Sequence, residues 1–169
     1  MEMKRRILLV DDEITVLLTL KAVLEISGFD VETAASAKEG KSKLLKREYD
    51  MIITDMRMES DAAGVEVIRA ARTASYHPAV ALLTAFPLSD EDWQTTGADK
   101  MLIKPMQTRI LLQQIEKLLT THKAKLEKLA AAKNNGAEPL AMAAVAASPA
   151  AATAKVTKKP ARSKKALKV

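Results

Sequence analysis

The chain has 169 residues, no cysteine, 27 Lys+Arg against 21 Asp+Glu, and only 3% aromatic residues. Without cysteine there is no disulfide, thiolate nucleophile or cysteine-ligated zinc, and the length suits one domain of ordinary size with a remainder. The charge separates the two. Residues 1–120 carry 16 basic and 19 acidic side chains and residues 121–169 carry 11 and 2, so the sequence pI of about 9.5 belongs to the end of the chain.

In chain order, the basic start Lys4-Arg5-Arg6 is followed by an apolar stretch of only Ile7 to Val10 before Asp11-Asp12-Glu13. This is a strand rather than an export signal. No run approaches the ~18 apolar residues of a membrane span, so a soluble cytoplasmic protein is expected. A helix follows from about Glu13 to Ser27, with Ile14, Leu17, Leu20, Val23 and Leu24 on its apolar stripe and Gly28 suited to its C-terminal cap. Strand two is Asp30 to Thr33. Helix two opens on Ser36-Ala37-Lys38-Glu39, whose hydroxyl and carboxylate can bond each other's backbone amides, and ends near Arg47. Strand three runs from Met51 to Asp55, helix three from about Gly64 to Ala74 before His77-Pro78, and strand four from Ala79 to Thr84. Helix four is short: Pro87 limits its start, Ser89 caps it, Trp93 is its one large apolar anchor and Gly97 ends it. Strand five is Lys100 to Ile103. Helix five starts near Thr108 and meets no breaker before Asn134-Asn135-Gly136, longer than covering a sheet requires. Apolar runs alternating with helices five times give an α/β fold with a parallel sheet.

The chemistry gathers at strand ends. Asp11 and Asp12 follow the first run and Asp55 follows the third, and the C-terminal tips of parallel strands are where open α/β sheets place their sites. Three carboxylates in one crevice repel unless a hard cation lies among them, which calls for Mg²⁺ or a similar ion. Thr84 and Lys104 end two further runs with a hydroxyl and an ammonium. Metal, hydroxyl and fixed positive charge together describe a phosphoryl-transfer site. Each residue also has a plainer reading. Asp12 suits the N-cap of helix one, Thr84 is a good strand residue, and Lys104-Pro105 suits an ordinary turn. A cis Lys104-Pro105 bond, the form favoured here, would instead aim the amine across the crevice. Met56 and Met58 read as flexible apolar filling. His77 and His122 have no cysteine near them and are not metal ligands; His122 lies on the apolar side of helix five and reads as a helix-surface residue.

The ordered set ILLVDDE, IITDMRM, LLTAF and IKP resembles the receiver domain of two-component response regulators over roughly the first 120 residues. The resemblance implies a flavodoxin-like, doubly wound, five-stranded sheet, with Asp55 as phosphoacceptor. Asp11, Asp12, Asp55 and the Arg57 backbone carbonyl would hold Mg²⁺, Thr84 would bond a phosphoryl oxygen and Lys104 would pair with the phosphate. Thr84, Met101 and Lys104 would form the switch. The implied donor is a sensor histidine kinase or phosphotransfer protein, and the implied role is a phosphorelay switch acting through protein contacts rather than an enzyme. Four departures stand out: Glu59 where receivers often have proline, Gly64 nine residues after Asp55 instead of eight, Met101 where an aromatic residue is common, and a short segment between Thr84 and Lys104. Arg57 and Phe86 occupy positions that tune phosphoryl lifetime in the family.

The expected organisation is a receiver over residues 1–121, an extension of the last helix over 122–136, and a disordered Ala/Lys/Pro-rich basic tail over 137–169. The tail holds Lys155, Lys158, Lys159, Arg162, Lys164, Lys165 and Lys168 and resembles linker-histone tails. Besides a solvated end, it admits weak, sequence-independent nucleic-acid binding, with an anionic membrane surface as rival. Two other functions stay open at this point: a pseudo-receiver scaffold that binds a partner through helix four regardless of phosphate, and tail-mediated nucleic-acid association.

Overall fold

A computed structural model describes residues 3–135; the tail cations from Lys155 to Lys168 and the proposed tail boundary at 137 lie outside them. Five strands, β1 (Arg6–Val10), β2 (Asp30–Ala34), β3 (Met51–Thr54), β4 (Ala79–Thr84) and β5 (Lys100–Ile103), alternate with α1 (Ile14–Ile26), α2 (Ala37–Lys46), α3 (Ala63–Thr73), α4 (Asp90–Thr95) and α5 (Thr108–Asn135). All neighbouring strands are parallel, in the order β2-β1-β3-β4-β5. That is the flavodoxin-like order, and its topological switch point lies between β1 and β3.

The strands read as unbroken apolar runs because both faces of the sheet are covered. Ile7, Leu9, Met51, Ile53, Ala81 and Leu83 face α1 and α5, packing on Leu17, Leu24, Leu111, Ile115 and Leu119. The alternate residues Leu8, Val10, Ile52, Val80 and Leu82 face α2 and α3, packing on Leu44, Val67, Ile68 and Ala71. Met56, Met58 and Met101 lie partly buried against this second layer, as apolar filling. Helix α4 has six residues and buries none of them, with Trp93 only partly covered. In α5 the buried residues are Leu111, Ile115 and Leu119, all in its first half, so its C-terminal turns extend past the sheet.

Helix starts differ in detail from the sequence expectation. Glu13 is the N-cap of α1 and makes no side-chain cap bond; the Asp11 carboxylate accepts from the Glu13 N–H at 2.9 Å instead. At α2, Ser36 Oγ accepts from the Glu39 N–H, but the Glu39 carboxylate reaches past Ser36 to the N–H of Ala35. The Ala37 N–H is then taken by Glu59, from a distant loop. The expected left-handed cap after α1 is present, with Gly28 at φ 95°.

The surface reading of His122 is corrected. Its side chain is only 10% exposed, with Nδ1 at 3.9 Å from Asp99 Oδ2 and Nε2 at 2.7 Å from the His77 carbonyl. A carbonyl only accepts, so Nε2 carries the hydrogen. The contact arises because the α3–β4 loop, with His77 at φ 47°, rises to meet α5.

Candidate functional site

Hydrogen bonding between strands continues one residue past their ends and fixes the backbone of the site. Asp11 N–H donates to Ala34 O at 3.1 Å, Asp55 N–H to Val10 O at 2.8 Å, and Lys104 N–H to Thr84 O at 2.8 Å. Three of the charged residues singled out in the sequence are therefore held as extensions of the sheet, Asp11 and Asp55 beside the β1/β3 switch point and Lys104 at the end of the edge strand β5. Gly64 brings α3 against the same place. A Cβ there would lie 2.2 Å from Asp55 O and 2.7 Å from Met56 Cα, so only glycine allows the helix to approach this closely. The longer spacing from Asp55 to Gly64 is thus absorbed in the intervening loop.

Asp11, Asp12 and Asp55 present carboxylate oxygens that all lie within 4.8 Å of one another. Asp11 is buried, Asp55 half-buried and Asp12 exposed. Lys104 follows a β5 that brings it across the crevice, and the Lys104–Pro105 bond is cis, as expected. Its Nζ lies 2.5 Å from Asp11 Oδ2 and 3.7 Å from Asp55 Oδ2. Asp55 Oδ1 also accepts from the Met56 N–H at 2.8 Å. One ammonium faces three carboxylates. Burial pushes the Asp55 carboxyl above its ordinary value, and Asp11 and Asp12 add to the shift, while Lys104 and the Met56 N–H oppose it. An all-oxygen, anionic donor set left with excess negative charge fits a hard divalent cation.

Thr84 is 1% exposed, and its hydroxyl accepts from the Phe86 N–H at 3.1 Å and lies 3.3 Å from the Phe86 carbonyl. It is thus placed at the tip of β4 but engaged with its own loop. Arg57 stacks on the Phe86 ring at 4.9 Å and lies 3.8 Å from Asp61, so the loops after β3 and β4 meet over the crevice. Two residues escaped the sequence reading. Buried Thr54 donates to the Asp55 carbonyl at 2.9 Å, and a polar strand-end residue before the acid was its only signal. Glu59, visible in the sequence only as a departure from a family pattern, accepts from the Ala37 N–H at 2.8 Å.

Comparison with known proteins agrees with this geometry. A transcriptional regulatory protein, the CpxR homolog of Haemophilus influenzae, is 36% identical over 119 residues, covering 68% of this chain and 50% of that protein. The alginate biosynthesis transcriptional regulatory protein AlgB of Pseudomonas aeruginosa is 35% identical over 106 residues, covering 62% of this chain and 23% of that one. The chain thus matches half or less of the length of these curated relatives. The response regulator TrrA of Thermotoga maritima, solved in complex with Mg²⁺ and BeF, is 31% identical with a TM-score of 0.61, covering 68% of this chain and 98% of that structure. The family model of the response regulator receiver domain matches residues 7–116, and with the sheet order and the acidic crevice in agreement, this chain belongs to the response regulator receiver family.

Proposed function

We propose that Asp55 is the phosphoacceptor of a two-component phosphorelay, and that phosphorylation resets a protein-binding surface. The carrying observation is the close set of Asp11, Asp12 and Asp55 with Lys104 Nζ reaching across it. A phosphohistidine of a sensor kinase or phosphotransfer protein is the donor. A carboxylate oxygen of Asp55 forms the new O–P bond as the P–N bond breaks, and the imidazole keeps the electron pair and takes a proton from solvent. Asp11, Asp12 and Asp55, with the Arg57 carbonyl, would hold Mg²⁺, which when bound neutralises charge on the phosphoryl oxygens. Lys104 leaves Asp11 to pair with the phosphoryl group, and Thr84 gives up its Phe86 contacts to bond a phosphoryl oxygen. The chain accepts and releases one phosphoryl group as a switch and turns over no other substrate.

A small acyl-phosphate donor tests this without a kinase. Phosphate-affinity gels should show Mg²⁺-dependent incorporation in the wild type and none in Asp55→Asn; equal incorporation in both removes Asp55 from the role. A second reading, a scaffold that binds its partner regardless of phosphate, draws support from the six-residue α4 that buries nothing, and partner affinity unchanged by phosphorylation would favour it. The tail cations Lys155 to Lys168 suit weak, sequence-independent DNA binding. Full-length protein should then bind duplex DNA with affinity falling steeply with salt, and a chain ending at Gly136 should not; equal binding by both would clear the tail.

A further inference from the structure

The loop between Asp55 and α3 carries Arg57, whose carbonyl the proposed function assigns to the metal, and this loop is tied down on two sides. On one side, Gly64 N–H donates to Met56 O at 3.0 Å, and the close approach at Gly64 holds the loop against α3. On the other side, Glu59 Oε1 accepts from the Ala37 N–H at 2.8 Å. Ala37 is the first residue of α2, and its N–H is one of the donors that the helix cannot satisfy internally. The cap residues do not take it: Ser36 accepts from Glu39 and Glu39 accepts from Ala35. A carboxylate at a helix N-terminus is also favoured by the helix dipole. Arg57 lies between the two ties.

We infer that Glu59 is a positioning residue for the metal-binding loop: by closing the N-terminus of α2 from the loop after β3, it sets where the Arg57 carbonyl stands. It touches neither metal nor phosphate. A proline at this point would stiffen the loop through its own ring, whereas glutamate fixes it by an external contact, so the geometry of the site depends here on α2. The inference rests on the proposed Mg²⁺ site.

Magnesium titrations of the full chain, followed through the backbone amide resonances of residues around Asp12 and Arg57 and by calorimetry, test it. Glu59→Ala should weaken Mg²⁺ binding about tenfold, the lower end of what supporting groups around metal sites cost. Glu59→Gln, which keeps an acceptor for Ala37, should stay within about twofold of wild type. Ser36→Ala removes a different bond from the same helix end. It should lower thermal stability as Glu59→Ala does while leaving Mg²⁺ affinity within about twofold. Equal weakening by Ser36→Ala and Glu59→Ala, or unchanged affinity in Glu59→Ala, overturns the inference. A wild type that binds no Mg²⁺ at millimolar concentration overturns the metal site itself, a separate result.

Discussion

The two ends of the sheet use the same residue types in opposite ways. At the N-terminal end, charges are matched. Arg6 Nε pairs with Asp30 at 3.1 Å and its backbone N–H donates to Asp50. Asp99 accepts from the Val80 N–H and from Arg72 at 2.9 Å, with His122 beside it. At the C-terminal end, three carboxylates lie together and the one lysine beside them pairs with two, Asp11 and Asp55. A surface cleft lies at the matched end, lined by Arg6, Tyr49, His77 and His122 among others, and the carboxylate cluster is not in it. The contrast divides the sheet: matched charges fix the packing at one end, and the unmatched carboxylates at the other are those that the proposed cation and phosphoryl group would engage.

The sharpest way to break this division is at the acidic end. Asp12→Ala, or chelation of divalent ions in the wild type, should lower the rate of acyl-phosphate labelling by about a hundredfold or more, since charge neutralisation at such a site supplies several kcal/mol. Initial rates from phosphate-affinity gels give the measurement. Labelling that survives chelation would mean that Lys104 alone supplies the positive charge.

Substitution at the matched end should do the reverse. Asp99→Ala leaves the Val80 N–H and the Arg72 guanidinium without their shared acceptor, which should cost about 2 kcal/mol of folding stability in urea titrations. Its labelling rate should stay within about twofold of wild type, because the network lies at the far end of the strands. A large fall in labelling rate would show that the two ends are coupled through β4 and β5.

The two ends also differed in how far the sequence exposed them. Asp11, Asp12, Asp55, Thr84 and Lys104 were legible because each follows a short apolar run, and a polar group at a buried strand tip is informative without its neighbours. The strands and the short α4 were legible for similar local reasons: continuous burial, Pro87, Ser89 and Gly97. The Glu59–Ala37, His122–His77 and Arg72–Asp99 contacts were not, since each joins residues 22 or more positions apart. Local periodicity says nothing about such pairs. His122 was misread for this reason, because the α5 pattern alone does not reveal a left-handed His77 turning its carbonyl toward the helix.

A smaller effect sharpens the comparison through pH. The Asp55 carboxyl is raised above its ordinary 3.8 by burial and by its acidic neighbours. The folded protein therefore holds that proton more tightly than the unfolded chain does. The stability linked to protonation is fully present below pH 3.8 and is lost as pH rises through the raised value. Asp55→Asn keeps the shape without the charge, so in Mg²⁺-free buffer it should be more stable than wild type at neutral pH. A gain of about 1 kcal/mol, seen as about 4 °C in Tm, is the expected size. The gap should shrink as pH falls toward 3.8. A mutant less stable than wild type at neutral pH would mean that the Lys104 contact outweighs burial.

The smallest expected change in stability belongs to Phe86, where the two loops meet over the crevice. Phe86 is 60% exposed and its ring receives Arg57 at 4.9 Å, an arrangement worth about 0.5 kcal/mol at a solvated position. Phe86→Ala should therefore shift stability by no more than about that amount, and the backbone bonds between residue 86 and Thr84 can persist. The functional consequence is distinct. Without the ring, Arg57 loses its platform and the mouth of the crevice widens, so water reaches the acyl phosphate more easily and its half-life should shorten about threefold, a barrier change of under 1 kcal/mol. Decay of the phosphorylated protein after removal of the donor measures it. An unchanged half-life would mean that the loop backbone, rather than the Arg57–Phe86 stack, limits access of water to Asp55.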